Sequence, residues 1–327
     1  MNLRGSLLGF VLFTVPALYA ADVTVLVKPG SPLNGPDTFP TIQNAVDHAP
    51  EAADGGRVIL RITPGVYHER VWISQNRPRM TLIGLGAKPE DTVISAAQFA
   101  KEAGGTFFTE TVEVNGESFQ ADNVTFENTA GRVGQALAVS VLSDRAIFKH
   151  CRFTGYQDTL FANWGRQYYV DSYISGAVDY IFGNATAVFD HVEIHSIGQG
   201  YVTAQSRLRP DETTGYVIRN SRITTEAVEA GKVSLGRPWR PFSRVVYLRT
   251  EMDAGVARTG FNLWRDGDDP TTMFYAEYMS IGPGGGTAGR ARFVKQLTPA
   301  EAKAFEPRVF LRGRDNWDPE AEAAKLP

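Results

Sequence analysis

Short apolar runs of four to six residues, broken by Gly, Asn and Asp, fill the middle of this chain. One pattern recurs among them: an apolar residue, a variable one, a small polar one, two variable ones, then another apolar one. It reads Ala121–Phe126, Phe148–Phe153, Tyr169–Ile174, Phe189–Ile194 and Ile218–Ile223. Its polar slot holds Asn123, His150, Asp171, His191 and Asn220, at intervals of 27, 21, 20 and 29 residues. Repeats of this length, each too small to bury a core alone, indicate a solenoid. A helical solenoid needs amphipathic stretches of ten or more residues, and none occurs between residues 107 and 260. A β-sandwich accommodates the strand lengths but not the recurring slot. The pattern therefore predicts an all-β chain wound as a single-stranded parallel β-helix, one coil per repeat.

The ends read as caps. Residues 40–49 place apolar side chains at 42, 45, 46 and 49, the spacing of a helix face, with Thr41 as its cap. Residues 298–305 begin Thr-Pro, which suits the first turn of a second short helix. The Gly-rich stretch 282–289 reads as a loop. No linker divides the chain, so residues 21–327 are expected to form one domain.

Residues 1–20 differ from the rest. Arg4, an apolar run from Leu7 to Tyr19, and Ala20-Ala21 follow the order of a secretory signal, although Leu18 fits the small-residue rule imperfectly. The run is too short to span a membrane and Pro16 interrupts it. A secreted protein, extracellular or periplasmic, is expected, with no membrane partner. Only about twenty residues separate this segment from the first coil, so no pro-domain is expected. Asn123-Val-Thr and Asn184-Ala-Thr match a glycosylation acceptor pattern, which chance also explains.

Composition narrows the classes further. Among 327 residues, 33 are basic and 36 acidic, so the basic excess of a nucleic-acid binder is missing. The single cysteine, Cys151, excludes an internal disulfide and a cysteine-rich metal site. A monomer is the default expectation.

The candidate chemistry comes from spacing. Equivalent positions on successive coils stack about 4.8 Å apart. Gln135, Gln157 and Asp179 fall at intervals of 22, and Asp158 lies 21 before Asp179. Two amides and two carboxyls would thus crowd one patch. Gln157 and Asp158 are adjacent, so both serve one site only if the chain bends there, and Gly155 is the nearby residue that permits a bend. Two carboxyls about 5 Å apart share a proton unequally, one pKa rising and the other falling. That gives one acid and one nucleophile or base. The amides offer N–H donors to an oxyanion. Arg237 could hold one carboxylate ionised with a two-pronged bond, and Trp239 offers a plate for a sugar ring.

The same residues also read as turn residues and as a glutamine stacking ladder, and spacing alone leaves that open. A glycosidase would also need two carboxyls. Other schemes fit worse. Gly116-Glu-Ser118-Phe-Gln lacks the second glycine of a nucleophile elbow. His150 and His191 occupy the repeat slot, and His191 and His195 have a metal-ligand spacing only on a helix. Cys151 reads as a small buried side chain.

Taken together, the chain resembles the pectin methylesterases (pectinesterases). The resemblance runs from Gly65-Val-Tyr67-His-Glu69 to Trp317. It rests on Asn128-Thr-Ala-Gly131, Gln135-Ala-Leu-Ala138, Gly155-Tyr-Gln-Asp-Thr-Leu160, Asp179-Tyr-Ile-Phe-Gly183, Val202-Thr-Ala-Gln205 and Leu235-Gly-Arg-Pro-Trp239. In this order and spacing the motifs are specific. The resemblance implies a right-handed parallel β-helix and hydrolysis of the methyl esters of galacturonate units in pectin, with no cofactor and no metal. It casts Asp179 as nucleophile, Asp158 as acid then base, Gln157 and Gln135 as stabilisers of the oxyanion, and Arg237 as the partner of Asp179. Substrate contacts would come from Gln135, Arg237, Trp239, Thr106, Phe182 and Tyr67. Tyr180 departs from the Phe commoner in the second Asp motif. The competing readings are a non-catalytic pectin-binding β-helix, a chain-cutting glycosidase or lyase, and an esterase for another acyl substrate.

Overall fold

The computed structural model describes residues 21–327, except 34, 54, 227 and 228. The expected signal segment lies outside the described residues. The chain winds as a parallel β-helix, and every strand pairing is parallel. One side is a twelve-stranded sheet running from Thr38–Phe39 to Val294–Gln296. The other is a thirteen-stranded sheet with two arms. Its two long strands, Tyr173–Gly183 and Glu193–Gln205, bend from one arm into the other.

Strand alternation puts one set of side chains inside. In the twelve-stranded sheet the inward ladder runs Val25, Leu60, Leu82, Ala121, Phe148, Tyr169, Phe189, Ile218 and Tyr247, each the register partner of the next. The rings of Phe148, Tyr169 and Phe189 stack at 5.0 and 4.7 Å between centres. The ladder ends on Glu277, fully buried and paired with Arg290 at 2.5 Å. A charge at that depth stays only because its partner is buried with it.

The polar slot of the repeat has a backbone cause. Asn123, His150, Asp171, His191 and Asn220 all have φ between +49° and +59°. Each is the corner where the chain leaves the twelve-stranded sheet. That left-handed conformation is tolerated best by Asn, Asp and His among residues with a side chain. The corner recurs at Arg249 and Met279, so torsion rather than polarity defines the position. His150 and His191 place Nδ1 3.0 Å from Asp122 and Asp190 respectively. Cys151 is buried, as read from the sequence. Asn123 and Asn184 both spend their side-chain N–H groups within the fold, on Gly84, Gly86 and Glu212.

The N-terminal cap forms as expected. The helix Ile42–His48 buries Ile42, Ala45 and Val46, and Thr41 accepts from the Asn44 N–H. Glu69 adds a second cap, accepting from the N–H groups of Ile42 and Gln43 at 2.9 Å. The C-terminal segment does more than close an end. Its short helices Pro299–Ala302, Pro307–Phe310 and Pro319–Ala323 run over the outer face of the twelve-stranded sheet. There Leu311, Trp317 and Leu326 cover Ile147, Tyr168, Val188 and Val217, a face otherwise apolar and open to water. No helix among the described residues is long and apolar enough to cross a membrane.

Candidate active site

The acids sit where the second sheet breaks its own alternation. Leu160–Ala162 pairs with the end of Tyr173–Gly183, while Arg152–Thr154 pairs with its start. On its other side, against Glu193–Gln205, the register of Tyr173–Gly183 slips near Gly176 and Val178. A slip of this kind re-aims side chains. Asp158 has φ +63° and Asp179 has φ +49°. The bend therefore lies at the acids themselves, not at Gly155 as the sequence suggested. Gly155 is required for another reason: a Cβ there would come 2.8 Å from Thr159 Oγ1.

The register also corrects the stacking. Gln135 pairs with Gln157, and Gln157 with Val178, so Asp179 lies one coil beyond Asp158 rather than beyond Gln157. The Asp158 N–H donates to the Val178 carbonyl at 3.1 Å, which ties the two acid-bearing segments together. Gln135 and Gln157 are half-buried, and their side-chain amides have no hydrogen-bond partner among the described residues. They are free to donate to a ligand.

Electrostatics separate the two acids. Asp179 is 5% exposed and takes both prongs of Arg237: Nε donates to Oδ1 at 3.0 Å and Nη2 to Oδ2 at 2.6 Å. Asp158 is 9% exposed and has no such partner among the described residues. Burial, then the charge of Asp179, pushes the Asp158 carboxyl up to about 8, against the pull of Arg237. Burial also raises Asp179 above its usual range, and the hydrogen bonds and charge of Arg237 pull it back. The expectation that one pKa falls is thus corrected: both rise, because burial outweighs the ion pair. The division of roles survives, since Asp158 rises far enough to hold a proton at neutral pH while Asp179 carries the charge.

Beside the acids lies an aromatic row on the outer face of the second arm. Phe107 packs on Phe161 at 4.9 Å, Phe161 stacks on Phe182 at 4.6 Å, and Phe182 meets Trp239 at 5.9 Å. Phe182 is mostly covered and forms floor rather than wall. Thr106 opens the turn Thr106–Phe108, which carries the exposed Phe107 into the row. Trp239 and Trp264 border a cavity of about 460 Å³ with Arg240, Arg265 and Thr272. The buried Asn128 gathers the surrounding loops, its amide donating to the carbonyls of Gln98, Thr109 and Leu137.

One expected contact is corrected. Tyr67 points into the core and is 5% exposed, with its hydroxyl donating to the Thr63 carbonyl at 2.9 Å. It is the register partner of Ile94, an interior residue, so it cannot line an external cleft. Three neighbours escaped the sequence reading: Phe161, Tyr201 and Trp264. Phe161 was accessible, because alternation from the inward Leu160 turns it outward. Trp264 lies in an irregular loop far along the chain, and no periodicity marks it.

Among the described residues no group of three or more His, Cys, Asp or Glu is placed to hold a metal ion. The acid pair, the free amides and the two-pronged arginine suit attack on a carbonyl by a carboxylate, with a neighbouring carboxyl donating a proton.

Comparison with known proteins gives one family. The family model for Pectinesterase matches residues 31–314. Pectinesterase 31 of Arabidopsis thaliana is 38% identical over 289 residues, covering 85% of this chain and 90% of that protein. The chain spans only 53% of another relative from that plant, probable pectinesterase/pectinesterase inhibitor 23, at 36% identity over 88% of this chain. Among solved structures, pectin methylesterase from carrot superposes with a TM-score of 0.83 and 31% identity, covering 94% of this chain and 97% of that one. A pectin methylesterase in complex with a hexasaccharide superposes with a TM-score of 0.75 and 29% identity, over 91% and 98%.

Proposed function

From the premise that this chain belongs to the pectinesterase family, whose members are carboxylic ester hydrolases, we propose that it hydrolyses methyl esters of galacturonate units in pectin through Asp179 and Asp158. The observation that carries this is the unequal pair: a buried Asp158 whose carboxyl is pushed up to about 8, beside an Asp179 held by both prongs of Arg237. Asp179 attacks the ester carbonyl, and the carbonyl oxygen becomes an oxyanion accepting from the Gln135 and Gln157 amides. Collapse expels methoxide, which takes the Asp158 proton and leaves as methanol. An anhydride between Asp179 and the uronate remains. Asp158, now a carboxylate, draws a proton from water, and the hydroxide formed opens the anhydride. The products are free galacturonate, regenerated Asp179 and protonated Asp158. Trp239, Phe107 and Phe161 would hold the sugar chain, with Phe182 beneath them and Thr106 at the edge.

The test is methanol release from highly methylated pectin. Methanol without new reducing or unsaturated ends supports the reading. New ends without methanol would mean a glycosidase or a lyase, and binding without either would mean a non-catalytic module.

The pH profile should be two-limbed. Activity falls on the acid side as Asp179 gains a proton. It falls on the alkaline side near pH 8, where Asp158 loses the proton owed to methanol. A profile still rising at pH 10 would remove Asp158 as the acid.

Asp158 should also cost the fold stability. Burial and Asp179 push its native-state pKa from the ordinary 3.8 up to about 8, so the native state binds more protons than the unfolded chain between these values. Stability therefore falls as pH rises from about 4 to about 8. Asp158→Asn should abolish turnover yet raise Tm by about 5 °C at pH 8, and leave it unchanged near pH 4. A calorimetric scan at both pH values decides this.

We further propose that residues 1–20 are a cleaved secretory signal, that residues 21–327 act as one catalytic unit, and that the mature protein is a monomer outside the cytoplasm. N-terminal sequencing of the exported protein and light scattering test these points.

A further inference from the structure

Asp179 is only one of three groups that hold the Arg237 guanidinium. Its central carbon lies 3.9 Å from the ring centre of Tyr201 and 4.1 Å from that of Trp264. The two rings come from separate places, Tyr201 from the long strand Glu193–Gln205 and Trp264 from the loop beyond Val233–Gly236. Both are half-buried. The Arg237 backbone is anchored too, its N–H donating to the Thr203 carbonyl at 2.9 Å.

We propose that Tyr201 and Trp264 are positioning residues for Arg237: they fix the plane of its guanidinium so that both prongs reach Asp179. This rests on the reading of Asp179 as the nucleophile. An arginine tethered only by its flexible stem and a carboxylate can swing to a one-pronged contact. Aromatic rings against the guanidinium attract it and keep water from it, leaving the N–H edge for the carboxylate. The bond pair at 3.0 and 2.6 Å requires that orientation. The titratable groups facing Asp179 are Arg237, Asp158 and the buried Tyr275. Arg237 alone opposes the burial that favours the protonated form of Asp179. Loosening the guanidinium therefore shifts Asp179 towards its inactive, protonated state.

Trp264 also borders the cavity shared with Trp239, so the rival role is a sugar platform that never acts through Arg237. The two roles differ in kinetics. A platform raises KM and leaves the acid limb of kcat in place. A positioning residue lowers kcat and moves that limb to higher pH.

The experiment compares Trp264→Leu, Tyr201→Leu and Trp264→Phe with the parent, using methanol release across pH at saturating pectin. Each leucine variant should lose roughly tenfold in kcat, with the acid limb raised by about half a pH unit or more, and Trp264→Phe should recover most of both. In an Arg237→Lys background, which lacks the planar fork, adding Trp264→Leu should cost less than about twofold. Carbon-13 NMR titration of the Asp179 carboxyl reads the same shift without relying on turnover. An unmoved Asp179 titration, or a full tenfold loss in the lysine background, overturns the proposal. Parent protein that releases no methanol while the titration moves as expected would instead sink the functional reading and leave the positioning role standing.

Discussion

Asp179→Asn will remove methanol release by roughly 10⁴-fold or more while leaving pectin binding nearly intact. An amide has almost the volume and shape of the carboxyl it replaces, so the core beneath it should not notice. What goes is the negative charge that both prongs of Arg237 hold in the site. No other group replaces it. Asp158 is protonated there by burial and by Asp179 itself, and removing the Asp179 charge relaxes only part of that shift, since burial is the larger cause. Cys151 is buried with its thiol pushed far up, chiefly by burial, and cannot substitute. Retention of more than about one percent of parental turnover would exclude Asp179 as nucleophile. A parallel titration with methylated oligogalacturonide should show that binding persists, because the aromatic row is untouched.

Arg237→Glu should be about as harmful as losing Asp179, for a different reason. The substitution sets a third carboxyl against two that are already buried. Like charges at this depth cannot all ionise, so Asp179 takes up a proton and stops being a nucleophile. The loss should ease somewhat at higher pH, which Asp179→Asn cannot imitate. Arg237→Ala should cost less than either and recover in part on addition of a small guanidinium salt. Near-normal turnover by Arg237→Ala would remove Arg237 from the mechanism. The variant also leaves Tyr201 and Trp264 without the cation they enclose. A lowered Tm should therefore accompany the kinetic loss in both Arg237 variants.

The sequence made much of this architecture legible because a solenoid is built from local repeats. The spacing of Phe148, Tyr169 and Phe189 marked one coil per repeat, and the structure stacks those rings as an interior ladder. The helix at Ile42–His48 followed from apolar spacing and from Thr41. Asp158 and Asp179 were brought together by an interval of one coil, and Arg237 was paired with Asp179 from its motif. The readings that missed depended on which way a side chain points. Tyr67 lies in a matching motif, yet alternation in Gly65–His68 turns it inward. Gly155 was assigned the bend that Asp158 itself makes.

Winding, strand direction, the repeat corners and the grouping of two acids with two amides were determined by the sequence alone, since each depends on positions that recur from one coil to the next. Tertiary structure decided the rest. It brought Trp264 and Tyr201 to Arg237, laid the C-terminal helices over the outer sheet face, and set the depth at which Asp158 is buried. Periodicity carries no information about where an irregular loop lands. How strongly a carboxyl holds its proton depends on the water excluded around it, which is a property of the packed molecule rather than of any spacing along the chain.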